Sequence, residues 1–168
     1  MASPEAAEEV SAIDLILREY SAAPAELESV EYMLNHARPV MAQMKEKVGL
    51  QDAGYLNISD IVANAALCKI IDKINSLSGL PPTDANREYI ATVINNSMSI
   101  MFILDSMDMS QDFYDGRYAP NRRTVEQMYD QVTAAAGQTD SSGSDWSRSL
   151  LWIAISLLLG LIRASNNL

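Results

Sequence analysis

Thirteen consecutive residues near the C-terminus, Leu150 to Ile162, carry no charge and only one hydroxyl group. A helix built from Leu150, Leu151, Trp152, Ile153, Ala154, Ile155, Ser156, Leu157, Leu158, Leu159, Gly160, Leu161 and Ile162 is apolar on every side. A helix lying on the surface of a soluble domain keeps a polar face, so this one must be enclosed by lipid or by protein. Arg148 and Arg163 bracket it, and Trp146 and Trp152 stand near its start, where an interfacial aromatic belt would fall. The two arginines are 14 residues apart, counting those between them, against the roughly 17–25 of a full crossing. Snorkelling of both arginines extends the reach to Trp146–Ser165, enough for a thin bilayer. The expected state is a single-pass anchor; a helix buried in a protein assembly and a half-inserted interfacial helix are the alternatives.

Ser156, Gly160 and Ala164 recur every four residues on one face of this segment. Small side chains at that spacing allow close helix–helix approach, so self-association through the stripe is a further expectation. For a spanning tail, the short stretch after Arg163 leads to the expectation of insertion after translation, with the body on the cytoplasmic side.

The rest of the chain differs in character. The net charge is −10, from 22 acidic and 12 basic residues. A protein of that sign repels a phosphate backbone, and no basic stripe interleaved with aromatics offsets it, so nucleic-acid binding is not expected. Residues 1–31 hold eight acids against Arg18 alone, whereas Trp146 onward holds two arginines and no acid. An acidic body with a basic, apolar tail is the arrangement expected when only the tail meets anionic lipid. The N-terminal Met1-Ala2-Ser3-Pro4-Glu5 lacks an apolar core and a Met-Gly start, so neither a signal peptide nor N-myristoylation is expected. The sequons at Asn57 and Asn95 are therefore expected to go unused.

Helical periodicity organises residues 1–137. Ser3 is expected to cap a first helix opened by Pro4, with Val10, Ile13, Leu17 and Tyr20 on one face. Pro24 separates it from a second helix over about 25–47, stopped by Gly49. There Leu27, Val30, Leu34, Ala37, Met41, Met44 and Val48 form a three-heptad seam, with a kink expected at Pro39. Gln51–Asn57 reads as a loop before a third helix capped by Ser59, with Leu67, Ile70, Ile71, Ile74 and Leu77 inward and Lys69, Asp72 and Lys73 outward. Gly79, Pro81 and Pro82 close it, and Thr83 caps a fourth helix over about 84–107. That helix has no charge between Glu88 and Asp105, which suits a central helix surrounded by others. Asn95, Asn96, Ser97 and Ser99 argue against its crossing a bilayer. Ser110–Ala119 reads as a connection, Pro120 opens a fifth helix ending at Gly137, and 138–145 is a Ser/Gly linker. The fold class is thus all-α: a compact bundle of about five helices over 1–137, a flexible linker, and the hydrophobic C-terminal helix 146–168.

Reactive groups are sparse. His36 is the only histidine and lies on the charged side of the second helix, where it reads as a surface residue. Cys68 is the only cysteine and reads as a buried inert thiol. Asp105, Asp108, Asp112 and Asp115 crowd together, but Phe113 and Ala119 stand where a calcium loop needs its glycine and glutamate, so they read as solvated carboxylates. The nine methionines fall at helical spacing and read as core filler. Arg122 and Arg123 are expected to meet the acidic first helix. No base, nucleophile and orienting group assemble from this inventory, so neither catalysis nor a cofactor nor a small-molecule substrate is expected.

Leu67-Cys68-Lys69-Ile70-Ile71-Asp72-Lys73-Ile74-Asn75 resembles the death-motif helix of the tail-anchored apoptosis regulators of the B-cell-lymphoma family, and Phe113-Tyr114-Asp115-Gly116 resembles the start of their groove motif. Ile71 stands where that motif has a small residue, and the Asn-Trp-Gly-Arg signature is absent. The resemblance implies a helical groove that binds peptides. The expected role is a non-enzymatic, membrane-anchored structural or adaptor protein; the alternatives are a self-assembling coat-like subunit and such a groove binder.

Overall fold

The computed structural model describes residues 4–23, 26–81 and 83–137. The expectations placed on Ser3, Pro24, Pro82, the linker 138–145 and the whole segment 146–168 lie outside these residues. A 3₁₀ turn, Pro4–Ala6, leads into α1 (Ala7–Ala22), followed by α2 (Leu27–Val48), α3 (Ala53–Ser76), α4 (Asp84–Leu104), the short α5 (Gln111–Phe113) and α6 (Ala119–Gly137). The described residues form an all-helical bundle around one apolar core. Among them, no helix is long and apolar enough to cross a membrane.

The heptad seam of α2 is buried as its spacing requires: Leu27, Val30, Leu34, Ala37, Met41 and Met44 are covered, joined by Met33. Helix α2 packs against α1, α3 and α4. It ends at Gly49, whose φ of 86° and ψ of 158° lie in a region open essentially to glycine. A Cβ placed there meets no atom within 4 Å, so the cost of a side chain is conformational alone. Gly49→Ala is expected to lower the unfolding free energy by about 1–3 kcal/mol, read from urea denaturation. A neutral result would mean that the connection relaxes into another conformation.

Helix α3 begins earlier than its sequence suggests. Asp52, not Ser59, is the cap: its carboxylate accepts the Tyr55 N–H at 2.8 Å. Ser59 is fully buried inside the helix and donates its hydroxyl to the Asp108 carbonyl. The supposed loop 51–57 is helical from Ala53, which extends the buried stripe to Tyr55, Val62, Ala63 and Ala66 ahead of Leu67, Ile70, Ile71, Ile74 and Leu77. The alanines let neighbouring helices approach closely.

The lysines of α3 do not simply face water. Lys69 donates to the Tyr20 and Ala23 carbonyls, at 2.9 and 3.1 Å, where α1 ends with unsatisfied carbonyls. Its ammonium also lies 3.9 Å from the centre of the Tyr20 ring. Burial pulls its pKa below the ordinary lysine value. Lys73 pairs with Glu26 just before α2, and that hydrogen bond raises its pKa. Long aliphatic stems thus reach across to cap and clamp neighbouring elements, while Asp72 stays exposed.

Helix α4 is capped by Thr83, which accepts the Asn86 N–H, as its sequence indicates. It ends at Leu104, and it is not surrounded: Glu88, Thr92, Asn95, Asn96, Ser99 and Phe102 are exposed, Phe102 at 59%. The uncharged stretch owes its composition to one buried face and one polar, uncharged face. Residues 111–119 are helical, not a connection. Ser110 caps α5 by accepting the Phe113 N–H, and Tyr114–Tyr118 form a π-helical turn leading into α6. The Ala119 N–H bonds the Tyr114 carbonyl five residues back. Pro120 has no N–H to offer, and its ring would crowd the carbonyl four residues earlier; the wider turn accommodates both.

Candidate functional site

A cleft of about 440 Å³ opens between α2, the start of α3 and the α4–α5 connection. One wall comes from α2: Asn35, Arg38, Ala42 and Lys45 recur at steps of three and four and so share a face, with Pro39 and Met41 beside them. The facing wall is Tyr55 with Ser106, Met107 and Asp108.

Asp108 organises the inner end. Its Oδ2 accepts the Tyr55 hydroxyl at 2.6 Å and the Lys45 ammonium at 2.9 Å, while its backbone carbonyl accepts Ser59. Burial pushes the Asp108 carboxyl upward, but the Tyr55 and Lys45 hydrogen bonds together outweigh it and hold the pKa below the ordinary value. The same burial, with the neighbouring carboxylate, pushes the Tyr55 phenol well above its usual pKa. Tyr55 therefore stays a neutral donor. Two residues on, Asp60 receives the N–H and hydroxyl of Ser110 at 2.9 and 2.6 Å. The connection is thus pinned to α3 at two adjacent points.

A carboxyl whose folded pKa is depressed stabilises the fold above its unfolded pKa, and that contribution disappears as pH falls through the folded value. For Asp108 the loss begins as pH drops past the ordinary carboxylate value of 3.8. Asp108→Asn is expected to be less stable than the parent at pH 7 and to close that gap between pH 4 and pH 2, followed by thermal melts across this range. A gap that stays constant with pH would show that the Asp108 charge contributes nothing.

Asp105 is likewise engaged, contrary to the picture of solvated carboxylates. The buried Tyr118 hydroxyl lies 2.6 Å from its Oδ1 and 3.0 Å from the Met101 carbonyl, and the charged, nearer acceptor takes the single proton. Arg122 Nε bonds the other Asp105 oxygen at 3.2 Å, and its guanidinium sits 5.4 Å from the Phe102 ring centre. Arg122 therefore ties α6 to α4, not to the acidic first helix. Only Asp112 and Asp115 are solvated, Asp115 accepting from Gln111 at 2.7 Å. Among the described residues no group of three or more His, Cys, Asp or Glu side chains is placed to hold a metal ion.

His36 is exposed, stacked on Tyr32 with ring centres 4.0 Å apart, and its Nδ1 lies 2.8 Å from the Tyr32 carbonyl. Cys68 is half-buried, not enclosed, and receives an Arg117 N–H at 3.4 Å. Of the methionines, Met33, Met41, Met44, Met98, Met101 and Met128 lie in the core, and Met107 and Met109 pack against it. The serines of both sequons, Ser59 and Ser97, are fully buried. In the stretch resembling a death motif, Leu67, Ile70, Ile71 and Ile74 face the core, and the cleft lies away from them.

Sequence reasoning missed the cleft because its walls come from segments some seventy residues apart. The one signal available was the repeat Asn35, Arg38, Ala42, Lys45 opposite the apolar seam. The residues assigned to an anchor, Trp146 to Arg163, and the stripe Ser156, Gly160 and Ala164 lie outside the described residues. Comparison with protein-family models, with curated proteins and with solved structures finds no match for this chain.

Proposed function

We propose that this chain is a non-enzymatic structural or adaptor protein, held at a membrane by residues 146–168 and presenting its helical bundle to protein partners. The observation that carries this reading is the uncharged run Leu150–Ile162 attached to a body that has its own contiguous apolar core. That core is built from residues between Ala6 and Val132. A helix apolar on every side needs cover of its own, and lipid suits one flanked by arginine and tryptophan.

The test is flotation of the full chain on a lipid density gradient, followed by an alkaline-carbonate wash. Flotation that resists the wash supports an integral anchor. Recovery at the bottom as a defined large particle would overturn the membrane reading in favour of a self-assembling subunit whose tail packs into a neighbour.

A further inference from the structure

The cleft beside Arg38 holds a charge that the fold leaves unmatched. Lys45 is neutralised by Asp108, and Arg18, Lys47, Lys73, Arg87 and Arg122 each have an acidic partner. Arg38 lies about two turns before Lys45 on the same face of α2 and makes no hydrogen bond or ion pair among the described residues. The separation of Arg38 and Lys45 along α2 is about 10 Å, seven residues at the helical rise. Between them lie Pro39, Met41 and Ala42, with Met107 opposite, so the floor is largely apolar.

We propose that this cleft binds an organic monocarboxylate with a short apolar body, the carboxylate on Arg38 and the body against Met41 and Met107. A guanidinium presents parallel N–H donors that match a planar carboxylate. A single negative charge suits the site better than a phosphate ester, because Asp108 closes the inner end and the whole chain carries −10. The apolar body replaces water over the methionines and prolyl ring, which is the usual division of labour in a small-ligand site. This inference does not depend on where residues 146–168 reside.

The methionines make the test specific. The full chain, labelled with carbon-13 at the methionine methyls, is titrated with sodium pentanoate at constant ionic strength. Saturable shifts are expected for Met41 and Met107, with the core methionines Met33, Met44, Met98, Met101 and Met128 unmoved. Pentanamide, of the same shape without the charge, is expected to produce no saturable shift. Arg38→Gln is expected to weaken pentanoate binding at least tenfold, whereas Arg123→Gln, an equal charge change on exposed α6, leaves it within twofold. The proposal is overturned by any of three results: no saturable shift at Met41 and Met107, equal binding of the amide, or equal loss in the two arginine variants. Equal shifts with inorganic phosphate would likewise reject a carboxylate site.

Discussion

Ile70→Ala is expected to remove about 2–5 kcal/mol of unfolding free energy. Ile70 is fully buried in the middle of α3, within a stripe that runs from Tyr55 to Leu77. Alanine there forfeits the transfer free energy of the missing carbons and leaves a cavity that rigid neighbouring helices cannot fill. Domains of this size are stable by roughly 5–15 kcal/mol, so the variant sits near the threshold of folding. The midpoint of thermal unfolding should fall by on the order of 10 °C. Leu15→Ala provides the contrast: Leu15 is 58% exposed on α1, and its truncation should change stability by no more than about 0.5 kcal/mol. Equal losses at the two positions would contradict the assignment of α3 to the core.

Removal of residues 146–168 is expected to abolish flotation with lipid while leaving the far-ultraviolet circular dichroism of the bundle intact. Residues 138–168 contain two arginines and two aspartates, so residues 1–137 carry the whole net charge of −10. Such a body is repelled by anionic headgroups, and nothing in its described surface offsets that repulsion. Membrane affinity would then rest on the tail alone, where each buried methylene contributes about 0.8 kcal/mol. A truncated chain that still floats would place the membrane contact on the bundle and reject the tail as the anchor. A truncated chain that unfolds would show that the tail completes the core, against the closed cluster seen over residues 6–132.

The bundle was legible in the sequence where a local rule decides alone. Thr83 caps α4 because its hydroxyl reaches the Asn86 N–H within the same turn. Gly49 ends α2 because its backbone conformation excludes side chains, whatever surrounds it. The seam from Leu27 to Met44 is buried because steps of three and four keep those residues on one face of any α-helix. Ser59 shows where such rules stop. Serine is as good a cap as aspartate, and choosing between Asp52 and Ser59 requires knowing that the Ser59 hydroxyl already serves the Asp108 carbonyl, 49 residues away.

The candidate site was less legible for the same reason. Four aspartates in eleven residues look alike in a sequence, yet Asp105 meets Tyr118 and Arg122, Asp108 meets Tyr55 and Lys45, and Asp112 and Asp115 meet solvent. Lys69 and Lys73 sit at outward positions of the helical wheel, but their stems are long enough to reach the end of α1 and the start of α2. Charge and length are sequence properties; the partner within reach is not.

By itself the sequence determined the helical class, the inward stripe of each long helix, the stops at Gly49 and Gly79, and the contrast between an acidic body and a basic, apolar tail. These follow from period, backbone freedom and charge, which act within a few residues. Tertiary structure alone decided that α3 starts at Asp52, that 111–118 is helical with a widened turn before Pro120, and that α4 keeps one face open. It also decided that Arg38 stands at a cleft with no ion-pair partner among the described residues. Each depends on which distant atom meets a donor, acceptor or apolar surface, and only the packed chain brings those atoms together.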